Sequence, residues 1–324
     1  MGNSYLLAGD VGGTNLRIAA VSEDGSILRQ LSEPTPRTGA ATDVISTIAR
    51  VAERCITESG SGSRPKAFGL ALAALVNFRE GRVLSSPNLP QLNDLPVSRE
   101  LSERLQLSVV LENDATAAAI GEYWRGSSKD AENSVFVTLG TGVGGGLMLD
   151  GRAYRGIDGT AGEIGHVCVE PEGHACGCGS RGCVEQYASA TAIVRIAREL
   201  LEKETPSLLD GNTMFSSKDV FDAAGSGDVV ARKAFKTMGR YLGIALASLV
   251  DVLNPELIVI GGGAAGGWDF FIEHVESEIH SRAFRHPAMR VKVVRASLGD
   301  AAGILGAARV AIDTIEEPAR RSVM

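Results

Sequence analysis

The sequence has no hydrophobic run of the length that a membrane-spanning helix requires. Of its 324 residues 44% are apolar, but a membrane span needs about 20 consecutive apolar residues, and the best candidate, GIALASLVDVL, contains Asp251. The start, MGNSYLLAGD, lacks the basic segment and long apolar core of a signal peptide, and Leu6 stands where a myristoylation motif has Ser or Thr. We therefore expect a cytoplasmic protein with no membrane partner.

An excess of basic residues is also missing. The chain has 32 Lys and Arg against 39 Asp and Glu, which gives a net charge of −7 and a pI near 5.4. A broad nucleic-acid or anionic-membrane footprint needs positive charge, so the composition favours small-molecule substrates and no nucleic-acid partner. Because single cores rarely grow past roughly 250 to 300 residues, the chain length predicts two domains.

Strands with glycine-rich turns alternate with helical stretches, which is typical of an α/β fold. Residues 5–28 have the pattern of strand, glycine turn, strand and a tight turn at Asp24-Gly25, and residues 135–154 repeat this order with a turn at Asp150-Gly151. Two such hairpins, about 130 residues apart, indicate an internal duplication and two related lobes across a cleft.

The second half of the chain continues this alternation. Helical periodicity covers residues 229–253, and PELIVIGGG then reads as a strand that runs into a glycine turn. A helix near 268–284, the short strand RVKVVRA and a final helix from about 300 to 315 follow.

Glycine turns bring backbone N–H groups together without side chains in the way, and such groups bind phosphate oxygens. Asp10 precedes the first turn, where a carboxylate can hold Mg²⁺ or its water shell. Each turn alone is also ordinary turn chemistry, but two in matched positions predict a nucleotide site. The candidate phosphate-binding residues are Gly12, Gly13, Thr14, Gly140, Thr141, Gly142 and Gly144, and Gly262 and Gly263 are candidates for approaching the nucleoside.

The segment LSVVLENDATAAAIGE reads as a strand that runs into an Ala-rich helix. Asn113 or Asp114 at the junction is a natural helix N-cap. A carboxylate at the end of a strand, between two phosphate-binding hairpins in the sequence, can also accept the proton of a sugar hydroxyl that attacks a γ-phosphate. Asp114 is the predicted general base.

Polar side chains on nearby turns are candidates for holding a sugar, because each buried sugar hydroxyl needs hydrogen-bond partners. Asn88 lies in SSPNLP, while Glu163 and His166 lie three residues apart in GTAGEIGH. Glu185 lies in GCVEQYAS, directly after a cluster of cysteines. This position next to the cysteines distinguishes these carboxylates from ordinary surface charges.

Three of the five cysteines lie within HACGCGSRGC, at residues 174–183. In the cytoplasm stable disulfides are disfavoured, and the C-x-C-x4-C spacing of Cys176, Cys178 and Cys183 suits a compact metal site. Either His166 or His174 can complete a tetrahedral Cys3His zinc site, which would be closed and structural. Cys55 and Cys168 lie outside the pattern, and we expect both to be ordinary core thiols.

The motifs GDVGGT, PNL, END, LGTGVGGG, GExGH and CxCGxxGCxE occur in this order. In this respect the chain resembles the ROK family of sugar kinases, and within it the bacterial zinc-containing glucokinases. The resemblance implies a two-lobed, actin-like (ribonuclease H-like) ATPase fold with a duplicated core. It also implies ATP and Mg²⁺, transfer of the γ-phosphate to O6 of glucose, and a homodimer.

The resemblance also assigns roles to individual residues. It implies that Asp114 is the catalytic base and that the sugar is bound by Asn88, Asn113, Glu163, His166 and Glu185. It favours His166 over His174, so that the implied zinc ligands are His166, Cys176, Cys178 and Cys183. The small lobe is expected over residues 1–115, with the helix of about 300–324 packing back on it, and the large lobe, carrying the zinc site, over 116–299.

One segment departs from the family pattern. Relatives typically carry a Pro-Gly pair near Ala73-Ala74 and often Asp at the position of Asn77. That turn lines the sugar side in relatives, so the departure bears on which hexose is preferred.

Other functions fit parts of the pattern. Fructose, mannose or an N-acetylated amino sugar can replace glucose as the acceptor, and polyphosphate can replace ATP as the donor. ROK transcriptional repressors carry a DNA-binding domain before the first glycine hairpin, and only nine residues precede Asp10 here. An actin-like filament or chaperone ATPase has no evident use for the predicted sugar and zinc residues.

Overall fold

The computed structural model of the protein describes residues 4–203, 206–211 and 214–321, with residues 317–321 described by their backbone only. The chain divides into two compact units. Unit 1 contains the residues up to Asp130, Gly146–Gly162 and those from Ser297 onward, and unit 2 contains Ala131–Gly145 and Glu163–Ala296. These boundaries differ from the predicted lobes of 1–115 and 116–299, and the division into functional lobes stays a prediction.

The first part of the chain forms a sheet with three α-helices and a small two-stranded hairpin. Its elements are β1 (Tyr5–Val11), β2 (Asn15–Ser22), β3 (Ile27–Pro34), α1 (Ala41–Glu58), β4 (Phe68–Leu72), β5 (Leu75–Asn77), β6 (Arg82–Ser85), α2 (Val97–Leu105), β7 (Val109–Asn113) and α3 (Asp114–Arg125).

The remaining elements include a second sheet and most of the helices. They are β8 (Ser134–Leu139), β9 (Val143–Leu149), β10 (Arg152–Ala153), α4 (Glu185–Ala188), α5 (Ala190–Leu201), α6 (Ser217–Gly225), α7 (Val229–Leu253), β11 (Leu257–Gly261), α8 (Trp268–Arg282), α9 (Arg285–Arg290), β12 (Lys292–Arg295) and α10 (Ala302–Arg321). Among the residues described, no helix is long and apolar enough to cross a bilayer.

The two five-stranded sheets have the same strand order. The first runs β3-β2-β1-β4-β7 and the second β10-β9-β8-β11-β12. In the first, β1 and β2 are antiparallel while β4 pairs parallel with β1 and β7. In the second, β11 pairs parallel with β8 and β12. The predicted duplication of the core is therefore confirmed.

Local signals fix the ends of the helix α7, which the periodicity predicted over residues 229–253. The Asp228 carboxylate accepts the Ala231 N–H at 2.8 Å and so caps the first turn. Asn254 at the other end adopts the left-handed conformation, with φ of 48°, and its N–H donates to the Val250 carbonyl. Start and end of the predicted helix are confirmed.

The helix α10 packs on the first sheet through small side chains. Ala307 and Ala308 of the helix are fully buried in one cluster with Ala8 and Ala71 of the strands. A Cβ atom on Gly306 would lie 1.6 Å from the Ala117 carbonyl oxygen of α3, so only glycine fits there. The close approach of α3 and α10 gives the physical reason why unit 1 extends past residue 115.

We expect Gly306→Ala to destabilise the protein by about 1 to 3 kcal/mol, because the added methyl group must push two helix backbones apart. The matched control is Gly225→Ala at the end of α6, where a Cβ atom meets nothing within 4 Å. Urea unfolding of both variants measures the difference. Equal midpoints for the two variants would contradict the packing argument.

Candidate functional site

The first glycine turn, between β1 and β2, is held in place by Thr35. The Thr35 hydroxyl donates to the Gly12 carbonyl at 2.9 Å, and its N–H donates to the Thr14 carbonyl at 2.9 Å. Gly12 in turn donates its N–H to the Asn15 carbonyl at 3.0 Å. The conformation of the candidate phosphate turn is therefore fixed from outside the hairpin.

Asp10 lies near the end of β1, beside a second acidic residue. The Arg17 guanidinium lies 3.8 Å from the Asp10 carboxylate and 3.2 Å from that of Asp300. Burial raises the pKa of Asp10, and the charge of Asp300 raises it further, while Arg17 opposes both effects. A divalent cation would favour the ionised form of Asp10, and carboxylate oxygen is a ligand that Mg²⁺ prefers.

Asn88 lies directly against the first glycine turn. A Cβ atom on Gly13 would come within 2.9 Å of the Asn88 Cβ atom, so glycine is needed for this approach. The loop that carries Asn88 is fixed by buried Ser86, whose hydroxyl donates to the Ala73 carbonyl at 2.8 Å and accepts the Leu89 N–H at 3.0 Å. The structure thus brings a candidate sugar residue next to the candidate phosphate turn.

The junction of β7 and α3 presents Asn113 and Asp114 together. The Asn113 side-chain oxygen accepts the Thr116 N–H at 2.9 Å, so Asn113 is the N-cap. Its side-chain nitrogen donates to the Ala74 carbonyl and to Asp114 Oδ1, both at 3.1 Å. Asp114 Oδ1 also accepts the Ala115 N–H at 2.9 Å. Two N–H donors, the Asn113 side chain and the Ala115 backbone, therefore orient the Asp114 carboxylate at Oδ1.

A buried ion pair lies one residue before this junction, and sequence reasoning did not find it. Glu112 Oε2 accepts from Arg155 Nε at 2.7 Å, and the Glu112 side chain is only 3% exposed. Burial raises the pKa of Glu112, and the charge and hydrogen bond of Arg155 oppose this. The sequence signal is a glutamate that directly follows three apolar residues of a strand, and its partner lies 43 residues away.

The second glycine turn, between β8 and β9, is held by the start of α5. The Gly140 carbonyl accepts the Ala190 N–H at 2.8 Å, and the Thr141 carbonyl accepts the Thr191 hydroxyl at 2.9 Å. Gly140 also donates its N–H to the Gly142 carbonyl at 2.9 Å. This turn is therefore fixed from outside in the same way as the first.

Gly262, from the third glycine segment, packs beside the end of β8. Its φ is +86° and a Cβ atom there would lie 2.5 Å from the Leu139 carbonyl oxygen, so glycine is required. A Cβ atom on the next residue, Gly263, would meet nothing within 4 Å. Gly144, the last candidate residue of the second glycine turn, lies within β9.

Glu185 lies against the second glycine turn. Its Oε2 accepts the Val143 N–H at 3.0 Å, and a Cβ atom on Gly142 would come within 2.2 Å of that oxygen. The negative charge of Glu185 also raises the pKa of Glu163. The sequence suggested a sugar contact for Glu185 but gave no signal for this contact with the turn.

Glu163 and His166 flank a single 3-10 turn, with His166 Nε2 3.9 Å from Glu163 Oε2. Both side chains are accessible, at 44% exposure for Glu163 and 35% for His166. Burial of the carboxyl group raises the pKa of Glu163, and His166 opposes this shift. Two polar groups that reach solvent side by side can contact a hydroxylated ligand.

The four residues predicted to bind zinc come together. The candidate ligand atoms of His166, Cys176, Cys178 and Cys183 all lie within 4.8 Å of one another. His166 Nδ1 lies 3.6 Å from Cys176 Sγ, and Cys178 Sγ lies 3.7 Å from Cys183 Sγ. In a tetrahedral zinc site, N···S and S···S separations are about 3.6 and 3.8 Å. These two separations match those values, and three thiols with one imidazole are a donor set that suits a structural zinc ion.

His174, the alternative fourth ligand, faces elsewhere. Its Nε2 lies 2.7 Å from Arg195 Nη1, and its backbone N–H donates to the Tyr187 hydroxyl at 3.1 Å. Its ring packs at a tilt on Tyr187, with ring centroids 5.6 Å apart. His174 therefore links the cysteine loop to α4 and α5. His166 is the histidine that lies beside the three thiols.

The two remaining cysteines differ from each other. Cys55 is buried, as expected, and burial raises the pKa of its thiol to about 11. Cys168 is exposed, so its prediction as a core thiol is wrong. Cys168 forms an isolated antiparallel bridge with Cys183. It lies in a short loop segment and not in a packed strand, which the local sequence does not reveal.

Comparisons with known proteins show which family the chain belongs to. The model of the ROK family matches residues 6–314. The glucokinase of Thermotoga maritima is 37% identical over 309 residues, which cover 94% of this chain and 96% of that protein. The ROK hexokinase from Thermus thermophilus has a TM-score of 0.82 and 33% identity, covering 97% of this chain and 99% of that chain.

A second solved relative carries ligands. The ROK family glucokinase from Streptomyces griseus, in complex with glucose and AMPPNP, has a TM-score of 0.80 and 33% identity, covering 96% of this chain and 100% of that chain. Two sheets of equal strand order, each with a glycine hairpin, are the architecture of the actin-like ATPase fold. The chain belongs to the ROK family.

We expect Asn113→Ala to lower the free energy of unfolding by about 1 kcal/mol, because the Thr116 N–H loses its cap. Asn113→Ser retains a capping oxygen and should cost only a few tenths of a kcal/mol, although it removes the donor to Ala74 and Asp114. Chemical denaturation of the two variants separates the effect of losing the helix cap from the effect of losing the side-chain N–H donor. An equal loss of stability in both would show that the donor, not the cap, holds the junction.

Proposed function

We propose that this sugar phosphotransferase is an ATP-dependent glucokinase that transfers the γ-phosphate of ATP to O6 of glucose. The observation that carries the proposal is the Asn113–Asp114 junction, where an accessible carboxylate is held by the N-terminus of a helix and by a neighbouring amide. The similarity over nearly the whole chain to glucokinases, one of them in complex with glucose and AMPPNP, supports glucose and ATP as the substrates.

Asp114 acts as the general base in this proposal. Phosphoryl transfer passes through a loose transition state, so a base contributes mainly by orienting the attacking hydroxyl and accepting its proton late. Asn113 fixes one oxygen of the Asp114 carboxylate at 3.1 Å, which limits its rotation. The sugar would also be held by Asn88, Asn113, Glu163, His166 and Glu185.

The glycine turns and Asp10 serve the phosphoryl donor. Asp10 would hold Mg²⁺ or its water shell, and Mg²⁺ neutralises charge on the transferred phosphate when it is bound. The backbone at Gly12–Thr14 and at Gly140–Gly144 would contact the phosphates, with Gly262 and Gly263 near the nucleoside. Both turns are held from outside by hydrogen bonds to Thr35 and to Thr191.

The cysteine cluster would hold a structural Zn²⁺ ion, whose contribution is to cross-link the loop. His166 Nδ1 faces the thiols, while Nε2 faces Glu163. A metal on Nδ1 therefore leaves Nε2 available to a sugar hydroxyl and fixes the orientation of the ring. The proposal includes a homodimer in the cytoplasm.

The Ala73-Ala74 segment is expected to influence which hexose the protein prefers. The Ala74 carbonyl accepts the Asn113 side-chain N–H, so the departure from the family pattern lies beside a candidate sugar residue. A coupled assay with glucose, fructose, mannose and N-acetylglucosamine, each with ATP or polyphosphate, tests the acceptor and the donor. The highest kcat/KM is expected for glucose with ATP, and transfer to none of these sugars would overturn the proposal.

We expect Asp114→Asn to lower kcat by about two orders of magnitude or more, the usual effect of losing a general base, while glucose and ATP still bind. Asp313→Asn, on the exposed side of α10, is the matched control and should behave as the wild type. Steady-state kinetics and calorimetric titration measure both. Near-normal turnover of Asp114→Asn would rule out its role as the base.

We expect Cys178→Ser to lose stoichiometric zinc and to weaken glucose binding in the same preparation, because the loop that carries His166 is no longer cross-linked. Cys168→Ser, outside the cluster, should retain both the metal and the affinity. Elemental analysis and calorimetry provide the two measurements. A metal-free Cys178→Ser protein with unchanged glucose affinity would contradict the structural role of the ion.

A further inference from the structure

The Glu112–Arg155 ion pair is a buried charged group to which the proposed mechanism assigns no role. It lies two residues before Asp114, in the strand that leads into the junction. A buried carboxylate is costly unless it is paired and its oxygens accept hydrogen bonds. Such a group next to a candidate active residue calls for an explanation.

Both oxygens of Glu112 are engaged. Oε2 accepts from Arg155 Nε at 2.7 Å, and Oε1 accepts the N–H of Asn113 at 3.1 Å. The second bond holds the Glu112–Asn113 peptide, the last peptide of β7 before the junction. Because the Asn113 side chain in turn donates to Asp114 Oδ1 at 3.1 Å, the chain of contacts runs from Arg155 through Glu112 and Asn113 to the candidate base.

Arg155 is itself fixed at both ends. Its carbonyl accepts the N–H groups of Gly159 at 3.0 Å and Ala161 at 3.3 Å, which closes a tight loop around its backbone. Its guanidinium lies over the Phe78 ring, 4.9 Å from the centroid. Gly159 has a φ of +97°, and a Cβ atom there would lie 2.2 Å from the Val76 carbonyl oxygen. These contacts hold the loop in a conformation in which the Arg155 guanidinium reaches Glu112.

We propose that Arg155 is a positioning residue for Asp114 and acts through Glu112. This inference rests on the proposed function, because it needs Asp114 to be the base. Burial raises the pKa of Glu112, and Arg155 opposes this shift, so Arg155 favours the carboxylate form in which both oxygens accept hydrogen bonds. Without Arg155, burial favours the protonated acid, which is a weaker acceptor for the Asn113 N–H. The junction then loses one of the contacts that orient Asp114.

The test is a double-mutant cycle of Arg155→Met, Glu112→Gln and the two combined, with Arg152→Met as the matched control. Arg152 is an exposed residue of β10, three positions before Arg155. Arg155→Met should lower kcat about 10- to 100-fold, the scale of a misplaced reacting group, while KM for glucose and ATP changes less than about threefold.

The double variant gives the sharpest expectation. A glutamine at 112 is neutral and can still accept the Asn113 N–H, so it needs no cation. Glu112→Gln should therefore restore part of the kcat that Arg155→Met loses, and the two changes should be strongly non-additive. Arg155→Lys should recover part of kcat by keeping the charge, and Arg152→Met should leave kcat and KM unchanged.

Three outcomes overturn the inference. Wild-type kcat in Arg155→Met shows that the pair is not needed. Additive losses in the double variant show that Arg155 does not act through Glu112, and a rise in KM without a loss of kcat shows that it acts on substrate binding instead. Asp114→Asn, assayed in parallel, separates the two proposals: if it is inactive while Arg155→Met is normal, only the positioning role fails, and if it is active, the base assignment itself fails.

Discussion

The hydrogen bonds of the Asn113 side chain are the interaction on which the rest of the candidate site depends. One amide caps α3 through Thr116, joins the loop at Ala74 and fixes an oxygen of Asp114. The same group therefore ends a strand, starts a helix and orients a carboxylate. The sequence presents capping and chemistry as alternatives at this junction, and the structure makes them compatible because Asn113 performs the first and leaves Asp114 accessible for the second.

The glycines serve this arrangement by allowing close approach. Gly13 makes room for Asn88, Gly142 for Glu185 and Gly306 for the backbone of α3. In each case a Cβ atom would collide with a side chain or a backbone that the site or the core uses. The two glycine turns are each held by hydrogen bonds from outside the hairpin, one from Thr35 and the other from the start of α5. Rigid turns of this kind lose little entropy when they bind an anion.

Much of the fold could be predicted because its signals are local. The helix at 229–253 has a capping aspartate before it and a left-handed asparagine after it, and the repeated hairpins have their turn residues in place. The spacing of the cysteines likewise predicted the cluster that the structure brings together. The exposure of Cys168 could not be predicted, since one buried and one exposed thiol look alike in the sequence and the burial depends on what packs over each.

The sequence by itself determined the order of strands and helices, the repeated glycine hairpin, the capped junction at Asn113–Asp114 and the set of thiols, because caps, turns and short spacings act over a few residues. Only the tertiary structure decided that His174 contacts Arg195, that Glu185 lies on the second glycine turn and that Arg155 pairs with Glu112. These contacts join residues 21 to 43 positions apart. Such pairs form only where packing brings their elements together, and no local pattern encodes that.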